Sequence, residues 1–283
     1  MYDIAAARGT SANSLRFEPI YNRTLILVAH PDDETGCATL LQRAIDPVVV
    51  YCTDGAPASD FFWGKYGSRH QYALLRQDEA VRALGDLGIS SVHFLRVPGT
   101  SRRISDQELF RELPSAATAL RKLVLSINPE VVLAPAYEGG HPDHDSCSFL
   151  AFQLGLDLNI PVWEMPLYYR SPHGELIHQK FLRANGSEIS LQPTISELRE
   201  RSRMIATHAS QSDLREFAKS PIEFLRPQPT YDYCRPPHPG QLNYEAWQWP
   251  ITGSAVCDSF RLFQSQFLRD TFRSKMAMAA AGV

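Results

Sequence analysis

The chain has 283 residues, of which 44% are hydrophobic and 21% are charged. This is the composition of a globular protein with a sizeable core, and it excludes a disordered chain. The net charge of −3 comes from 28 basic and 31 acidic residues without a long run of either sign. The sequence therefore gives no electrostatic support for binding to nucleic acid or to an anionic membrane surface.

Cysteine content and apolar run lengths indicate the compartment. The five cysteines are scattered and include no Cys-x-x-Cys pair, which excludes a dense disulfide framework and favours reduced thiols. Residues 1–14 lack the basic and apolar regions of a signal peptide. No apolar run approaches the ~20 residues that cross a bilayer. We therefore expect a soluble, cytoplasmic protein without a membrane span.

Four short apolar runs predict β-strands. The runs are continuous rather than alternating, which is typical of parallel strands that are buried on both faces. They cover residues 24–29, 47–52, 92–97 and 131–136.

Amphipathic segments separate these runs and predict helices. They cover about 34–43, 71–87 and 106–127, and a fourth follows His144 as far as about residue 156. Gly88 is a candidate C-cap of the second helix, and Pro114 breaks or restarts the third. The alternation of strands and helices predicts a Rossmann-like α/β fold, with a mostly parallel sheet and helices on both faces.

The last third of the chain has weaker patterns. Thr194 and Glu197 have capping-box spacing, which predicts a helix that ends near His208. Residues 162–189 resemble irregular strands with a hairpin around "SPHGE", and residues 224–250 are interpreted as an ordered, Pro- and aromatic-rich loop. We expect a single domain over 1–283, with an α/β core at about 24–211 and an irregular C-terminal segment, 212–283, packed on it.

Two similar polar segments follow the first and fourth predicted strands. "VAHPDDETG" contains His30 and Asp33, and "GGHPDHDS" contains His141 and His144. Ligands bind at the carboxyl ends of strands in open α/β sheets, so these side chains converge if the two strands are neighbours. Imidazole and carboxylate ligands suit a zinc-like ion, and a catalytic zinc keeps three protein ligands.

A structural interpretation of the same segments exists. Proline at the first helical position and aspartate in the first turn are ordinary features of a helix start. A cap, however, needs no histidine before the proline, and both segments have one. The two interpretations are compatible, and together the segments favour a metal site. Spacing alone does not decide whether His141 or His144 binds the metal.

The motifs resemble the PIG-L/LmbE-like family of zinc-dependent N-acetylglucosaminyl deacetylases. The family hallmark A-H-P-D-D-E is matched in full by residues 29–34, and its later H-P-D-H by residues 141–144. The resemblance covers about 24–211 and includes "TDG" after the second strand and "HASQ" at 208–211. Some relatives place an acid after the third strand, where this chain reads "RVPGTSRR", and we assign no substrate-binding acid there.

The resemblance implies roles for individual residues. The metal ligands would be His30, Asp33 and His144. Asp32 would be the general base that takes a proton from the attacking water. His141 would stabilise the oxyanion or protonate the leaving amine, and Asp143 would orient His141.

Other residues of the matched segments have two interpretations each. Arg76, of the family's R-x-x-E helix, would contact a substrate hydroxyl or phosphate, or would form a surface ion pair with Glu79. His208 either faces the site or packs at the end of its helix. The aromatic residues Phe61, Phe62 and Trp63 either stack on a sugar or pack in the core, and we expect packing at least as much as stacking. The same two interpretations apply to Tyr244, Trp247 and Trp249, for which we favour packing.

The resemblance thus predicts an enzyme, a hydrolase that removes an N-acetyl group from an N-acetylglucosamine-type amino sugar or its conjugate. The cofactor would be Zn²⁺, with Fe²⁺ as the alternative ion, and the partner a small-molecule amino-sugar conjugate. A homo-oligomer is compatible with the sequence. The alternatives are an amidase acting on another sugar or antibiotic conjugate, a metallophosphoesterase and a non-catalytic carbohydrate-binding relative. A binder has no need of a base such as Asp32 beside the metal.

Overall fold

The computed structural model describes residues 19–211, Leu214 and residues 221–280, with side chains as far as residue 266. Residues 1–14, in which the sequence predicts no signal peptide, lie outside this range, as does most of 212–220. No helix in the described part of the chain combines the length and the apolarity that a membrane crossing requires.

A seven-stranded sheet forms the centre of the protein, in the order β3-β2-β1-β4-β5-β9-β8. The strands from β3 to β5 in this order are parallel, and β9 and β8 add two antiparallel pairings at one side. A separate hairpin pairs β6 with β7. The strands are Thr24–Val28 (β1), Val48–Tyr51 (β2), Val92–Phe94 (β3), Val131–Pro135 (β4), Val162–Met165 (β5), Tyr168–Arg170 (β6), Leu176–His178 (β7), Ile189–Leu191 (β8) and Glu223–Pro227 (β9).

Helices cover both faces of this sheet, as the sequence predicts. Successive residues of a strand point to opposite faces. Accordingly, Leu25 and Leu27 belong to one hydrophobic core, and Ile26 and Val28 to the other. The helices are Ala38–Arg43 (α1), Asp60–Trp63 (α2), Arg69–Asp86 (α3), Leu113–Ile127 (α4), Pro142–Leu158 (α5), Ile195–Thr207 (α6), Asn243–Ala246 (α7) and Gly253–Ala280 (α8).

Local residue chemistry sets several helix ends. Pro114 lies in the first turn of α4, where its missing N–H costs no hydrogen bond, so the helix starts at Leu113. Residues 109–111 before it form a 3₁₀ turn, so the predicted helix over 106–127 was too long. The left-handed residues Asn128 and Asn159 terminate α4 and α5.

The interpretation of residues 224–250 as a loop was wrong in part. Residues 223–227 form β9, which lies between β5 and β8 in the central sheet. The segment that forms β9 ends in Pro227 and has no clear alternation of apolar and polar residues. Its local sequence therefore does not specify a strand, and pairing with β5 decides its structure. The C-terminal segment therefore supplies part of the sheet itself.

The capping box at the start of α6 is present as predicted. The Thr194 side chain accepts a hydrogen bond from the Glu197 N–H, and the Glu197 carboxylate accepts one from the Thr194 N–H at 2.6 Å. Glu197 also pairs with Arg43 of α1 at 2.7 Å. The cap thus fixes both the start of α6 and its position on α1.

Replacing Thr194 with alanine is expected to lower the free energy of unfolding by about 1 kcal/mol, because the Glu197 N–H loses its acceptor. Urea denaturation of the two proteins measures the difference. Thr194→Ser keeps the hydroxyl and is the matched control. Equal stability of the alanine variant and the parent protein would contradict a stabilising cap.

Candidate metal centre and active site

The two His-Pro-Asp segments meet at one edge of the sheet because β1 and β4 are adjacent. Their register pairs Thr24 with Val131 and Ile26 with Leu133. The strand order 3-2-1-4-5 changes direction between these two strands, which is where open α/β sheets form a ligand-binding crevice. The structure therefore confirms that both segments face one crevice.

Asp33 fixes the first segment. Its Oδ2 accepts hydrogen bonds from the Ala29 N–H at 3.1 Å and the His30 N–H at 2.8 Å. Its Oδ1 lies 3.0 Å from His144 Nε2. One carboxylate thereby connects the loop after β1 to the first turn of α5.

His141 is the N-cap residue of α5, and this fixes its ring. The Asp143 N–H donates to His141 Nδ1 at 3.1 Å. Nδ1 is thus an acceptor, so the neutral imidazole carries its hydrogen on Nε2. His141 Nε2 lies 3.3 Å from Asp106 Oδ1. Burial, and next His30, lower the pKa of His141, which favours this neutral form.

The donor atoms at this edge fit a divalent ion. His30, His141 and His144 are buried, and one ring nitrogen of each lies within 4.8 Å of the others. A second group of the same compactness joins His30 and His141 to Asp106 and Asp143. Imidazole nitrogens with carboxylate oxygens are the ligands that zinc-type ions take in proteins.

The ligand set implied by the resemblance was His30, Asp33 and His144, and the structure brings these three together. Asp33 Oδ2 is 3.4 Å from His30 Nδ1, and its Oδ1 is 3.0 Å from His144. The group of three histidines, however, contains His141 and does not include Asp33. The assignment of His144 rather than His141 as a ligand stays a prediction.

Asp32 lies beside this cluster, held by Arg76. Asp32 Oδ1 is 2.9 Å from Arg76 Nη2, and Arg76 also donates to the backbone carbonyls of Pro31 and Gly55. Burial raises the pKa of Asp32 to about 6, although the Arg76 charge acts in the opposite direction. The carboxylate lines the same cavity as the three histidines.

Arg76 is buried, with 4% of its surface exposed, so the alternative of a surface ion pair with Glu79 was wrong. Glu79 instead accepts hydrogen bonds from the N–H and the hydroxyl of Ser210, at 2.9 and 2.6 Å. The two residues of the R-x-x-E motif on α3 thus make different contacts. Arg76 organises the loop after β1, and Glu79 attaches the segment after α6.

Asp143 contacts His30 through its carboxylate. Asp143 Oδ2 is 3.2 Å from His30 Nε2. The two oxygens also accept hydrogen bonds from the N–H groups of Gln107 and Leu109, at 2.6 and 3.0 Å. Its contact with His141 is made by the backbone N–H. Asp143 therefore joins α5, His30 and the loop before α4.

Asp106 is a site residue that the sequence analysis missed. Its Oδ1 is 3.2 Å from His30 Nε2, and its Oδ2 is 3.7 Å from Arg76. After β3, Ile104 forms an isolated parallel bridge with Thr53, which follows β2. This bridge brings the chain back to the crevice. The sequence does show this aspartate in the long connection after β3. It follows the "RVPGTSRR" stretch, where some relatives place an acid, and it was therefore not assigned to the site.

A cavity of about 470 Å³ lies at this edge, and its polar lining residues include His30, Asp32, Asp33, Arg76, Asp106, His141 and His144. Aromatic and apolar residues from separate parts of the chain form its remaining walls, and they are Phe62, Tyr72, Tyr168, Leu176, Leu214, Trp247 and Trp249. The ring centroid of Trp249 is 5.0 Å from that of His141. Of the six aromatic residues with two interpretations, Phe62, Trp247 and Trp249 line the cavity. Tyr244 is fully buried, as expected for packing, and Phe61 is 86% exposed.

Gly140, next to His141, is expected to tolerate no side chain. A Cβ at Gly140 would collide with the backbone carbonyl oxygen of Tyr168. Because the obstacle is backbone, Gly140→Ala should lower the free energy of unfolding by about 1–3 kcal/mol or more. Gly85→Ala on α3, where a Cβ meets nothing within 4 Å, is the control and should stabilise the protein by up to about 1 kcal/mol. Thermal denaturation of both variants tests this, and equal melting temperatures would contradict the collision.

The sequence model of the PIG-L family, described as GlcNAc-PI de-N-acetylase, matches residues 25–154. This range contains both His-Pro-Asp segments, Arg76 and Asp106. The family whose model matches this range is the one that the two motifs resemble.

Two curated relatives are the 1D-myo-inositol 2-acetamido-2-deoxy-alpha-D-glucopyranoside deacetylases of Mycobacterium strains KMS and JLS. Each is 30% identical over 168 residues, which are 50% of this chain and 52% of the relative. The chain thus spans about half the length of these relatives.

Solved structures of deacetylases share the fold. The deacetylase of an antimicrobial pseudoaglycone aligns with a TM-score of 0.56 at 18% identity, over 73% of this chain and 97% of that chain. The zinc-inhibited form of a teicoplanin deacetylase aligns with a TM-score of 0.53 at 19% identity, over 74% of this chain and 99% of that chain. At these identities the likeness establishes a common α/β architecture.

Proposed function

We propose that this protein is a zinc-dependent hydrolase that removes the N-acetyl group from an N-acetylglucosamine-type amino sugar or its conjugate. The observation that carries this proposal is the position of Asp32. Its carboxylate lies beside a compact group of buried imidazoles and lines the same cavity. A binding protein has no need of an additional carboxylate held in this way by Arg76.

The buried cluster would hold the ion through His30, Asp33 and His144, with His141 as the alternative third ligand. A bound zinc-type ion supplies a Lewis acid that activates a water molecule and polarises the acyl carbonyl. The same donor set accepts Fe²⁺, which we keep as the alternative ion.

Asp32 is the proposed general base. Its Oδ1 is held 2.9 Å from Arg76, and its other oxygen takes the proton of the attacking water. The fixed position matters because a base must lie within hydrogen-bonding reach of the proton that it removes. Once protonated, Asp32 is placed to return this proton to the leaving amine.

His141 is the proposed donor to the developing oxyanion. With Nδ1 occupied by the Asp143 N–H, the Nε2–H is the remaining donor, and it turns from Asp106 Oδ1, 3.3 Å away, to the charge that forms on the acyl oxygen. Asp143 positions two rings at once, His141 through its N–H and His30 through its carboxylate. Arg76, which lines the cavity, is the proposed contact for a substrate hydroxyl or phosphate.

An amino sugar suits the rest of the cavity. Aromatic rings such as Trp247 and Trp249 present flat apolar faces on which a sugar ring packs, while Asp106 supplies a carboxylate acceptor for its hydroxyl groups. The names of the mycobacterial relatives describe a deacetylase of a 2-acetamido sugar linked to inositol. We extend the class of substrate to this chain and leave the aglycone open.

We also infer that the described chain forms one domain. The strand β9, from the C-terminal segment, lies within the central sheet, and Trp249 reaches the cavity. A C-terminal segment of this kind is needed to complete both the sheet and the site.

The test is the release of acetate and free amine from a panel of N-acetylglucosaminides with different aglycones. Protein loaded with Zn²⁺ and protein loaded with Fe²⁺ are compared with chelated protein and with Asp32→Asn. We expect release by the metal-loaded parent protein only. No release from any member of the panel, with the metal bound, would contradict the proposal.

A further inference from the structure

Asp32 has a backbone conformation that a residue with a side chain rarely adopts. Its φ is 136° and its ψ is −24°. Such conformations cost on the order of 1–3 kcal/mol and persist only where the surroundings hold them in place. The contacts of the Asp32 peptide unit must therefore hold this conformation in place.

Both polar groups of Asp32's backbone are held by side chains. Its N–H donates to Glu34 Oε2 at 2.9 Å, and its carbonyl oxygen accepts from Thr35 Oγ1 at 2.7 Å. The preceding carbonyl, of Pro31, accepts from Arg76 at 2.8 Å. Glu34 is thus the acidic member of a set of contacts that fixes the direction of the Asp32 side chain.

Glu34 is in turn held by a residue far along the chain. Its Oε1 lies 2.6 Å from His208 Nε2, at a sequence separation of 174 residues, and both side chains are fully buried. His208 is the C-cap residue of α6. The next residues of the "HASQ" segment are attached to α3, through Ser210 on Glu79 and Gln211 on Tyr72.

We propose that Glu34 and His208 form a positioning pair that holds the general base Asp32 in its strained, reactive orientation. This inference rests on the proposed function, because it concerns the base of that same reaction. Neither residue touches the reacting atoms. His208 fixes Glu34, Glu34 fixes the Asp32 N–H, and the strained backbone directs the carboxylate into the cavity.

The consequence is a specific loss of rate. Besides His208, the Tyr51 hydroxyl lies next to the buried Glu34 carboxylate. Without His208, the carboxylate turns towards this hydroxyl, which releases the Asp32 N–H. The backbone at Asp32 then relaxes towards negative φ and moves its carboxylate. A displacement of about 1 Å at a reacting group costs about 10²-fold in rate. Because the base acts on the bound substrate, kcat falls while KM and metal content stay near their parent values.

The experiment compares His208→Ala, His208→Gln and His208→Asn in the zinc-loaded full chain. The glutamine amide reaches the position of Nε2 and can donate to Glu34, whereas the asparagine amide is too short. We expect kcat to fall about 10- to 100-fold in the alanine and asparagine variants and to return to within about threefold of the parent value in the glutamine variant.

The matched control is Glu164→Gln, which removes a charge from another buried pair. Glu164 is fully buried and lies 2.7 Å from Arg226, and its hydrogen-bond partners are outside the cavity. A loss of stability alone should therefore appear in this variant without the change in kcat. Metal content and circular dichroism confirm that each variant is folded and loaded.

A crystal structure of the His208→Ala or His208→Asn variant gives a readout that does not depend on activity. The proposal expects φ of Asp32 to become negative. An unchanged φ together with an unchanged kcat would overturn it, as would a glutamine variant as slow as the alanine variant. If the parent protein hydrolyses no substrate, the proposed function fails, and the change in φ still tests the positioning pair.

Discussion

Replacing Asp32 with asparagine is expected to lower kcat by about 10²- to 10⁴-fold, which is the usual contribution of a positioned general base. Asparagine has nearly the same shape and keeps an oxygen for Arg76, but it cannot accept a proton from water at neutral pH. Since Asp32 is not in the expected ligand set, the metal content should not change. KM should also stay near its parent value, because the lost interaction belongs to the transition state.

The measurement is steady-state hydrolysis of the best N-acetylglucosaminide, with metal content from elemental analysis on the same samples. Asp78→Asn is the matched control, because Asp78 lies on the surface of α3, with 64% of its side chain exposed, and pairs only with Arg82 among its described contacts. A turnover of Asp32→Asn close to that of this control would remove Asp32 from the role of base. Loss of the metal would instead make Asp32 a ligand.

Replacing His144 with alanine is expected to abolish both the metal and the activity, whereas His141→Ala should keep the metal and lose only turnover. The physical reason is the different position of the two rings. His144 Nε2 faces Asp33 at 3.0 Å, and His141 is fixed by the Asp143 N–H with its Nε2 near Asp106. Loss of a ligand should weaken metal binding by more than the about 10- to 100-fold that outer partners contribute.

Titration of the two apoproteins with Zn²⁺ decides between the ligand sets. His173→Ala, at an exposed position of the hairpin turn between β6 and β7, is the control for loss of a histidine. Retention of tight binding by His144→Ala with loss of binding by His141→Ala would reverse the assignment. The ligands would then be those of the group that lacks His144, namely His30, Asp106, His141 and Asp143.

The sequence by itself determined the parts of the fold that depend on local patterns. The continuous apolar runs are β1, β2 and β4, buried as predicted, and the capping box at Thr194 starts α6. The two His-Pro-Asp segments were recognisable because each combines a strand end, a helix start and its polar residues within a few positions. The rule that parallel strands present their carboxyl ends together then placed His30 and His141 at one edge.

Only the tertiary structure decided the contacts between residues that are distant in the chain. Nothing near Asp106 in the sequence indicates that it lies 3.2 Å from His30, because the path of the loop after β3 places it there. The same holds for Glu34 and His208, which meet only after α6 has packed against α1 and α3.

The strand β9 is another element whose structure was decided by long-range contacts. Its five residues have no periodic pattern, and hydrogen bonds to β5 and β8 supply what the local sequence does not. Local propensities and short motifs act over a few residues, so they can be recognised in the sequence. Long-range pairing depends on the free energy of the whole assembled core, and it becomes defined only when the sheet and both layers of helices are in place.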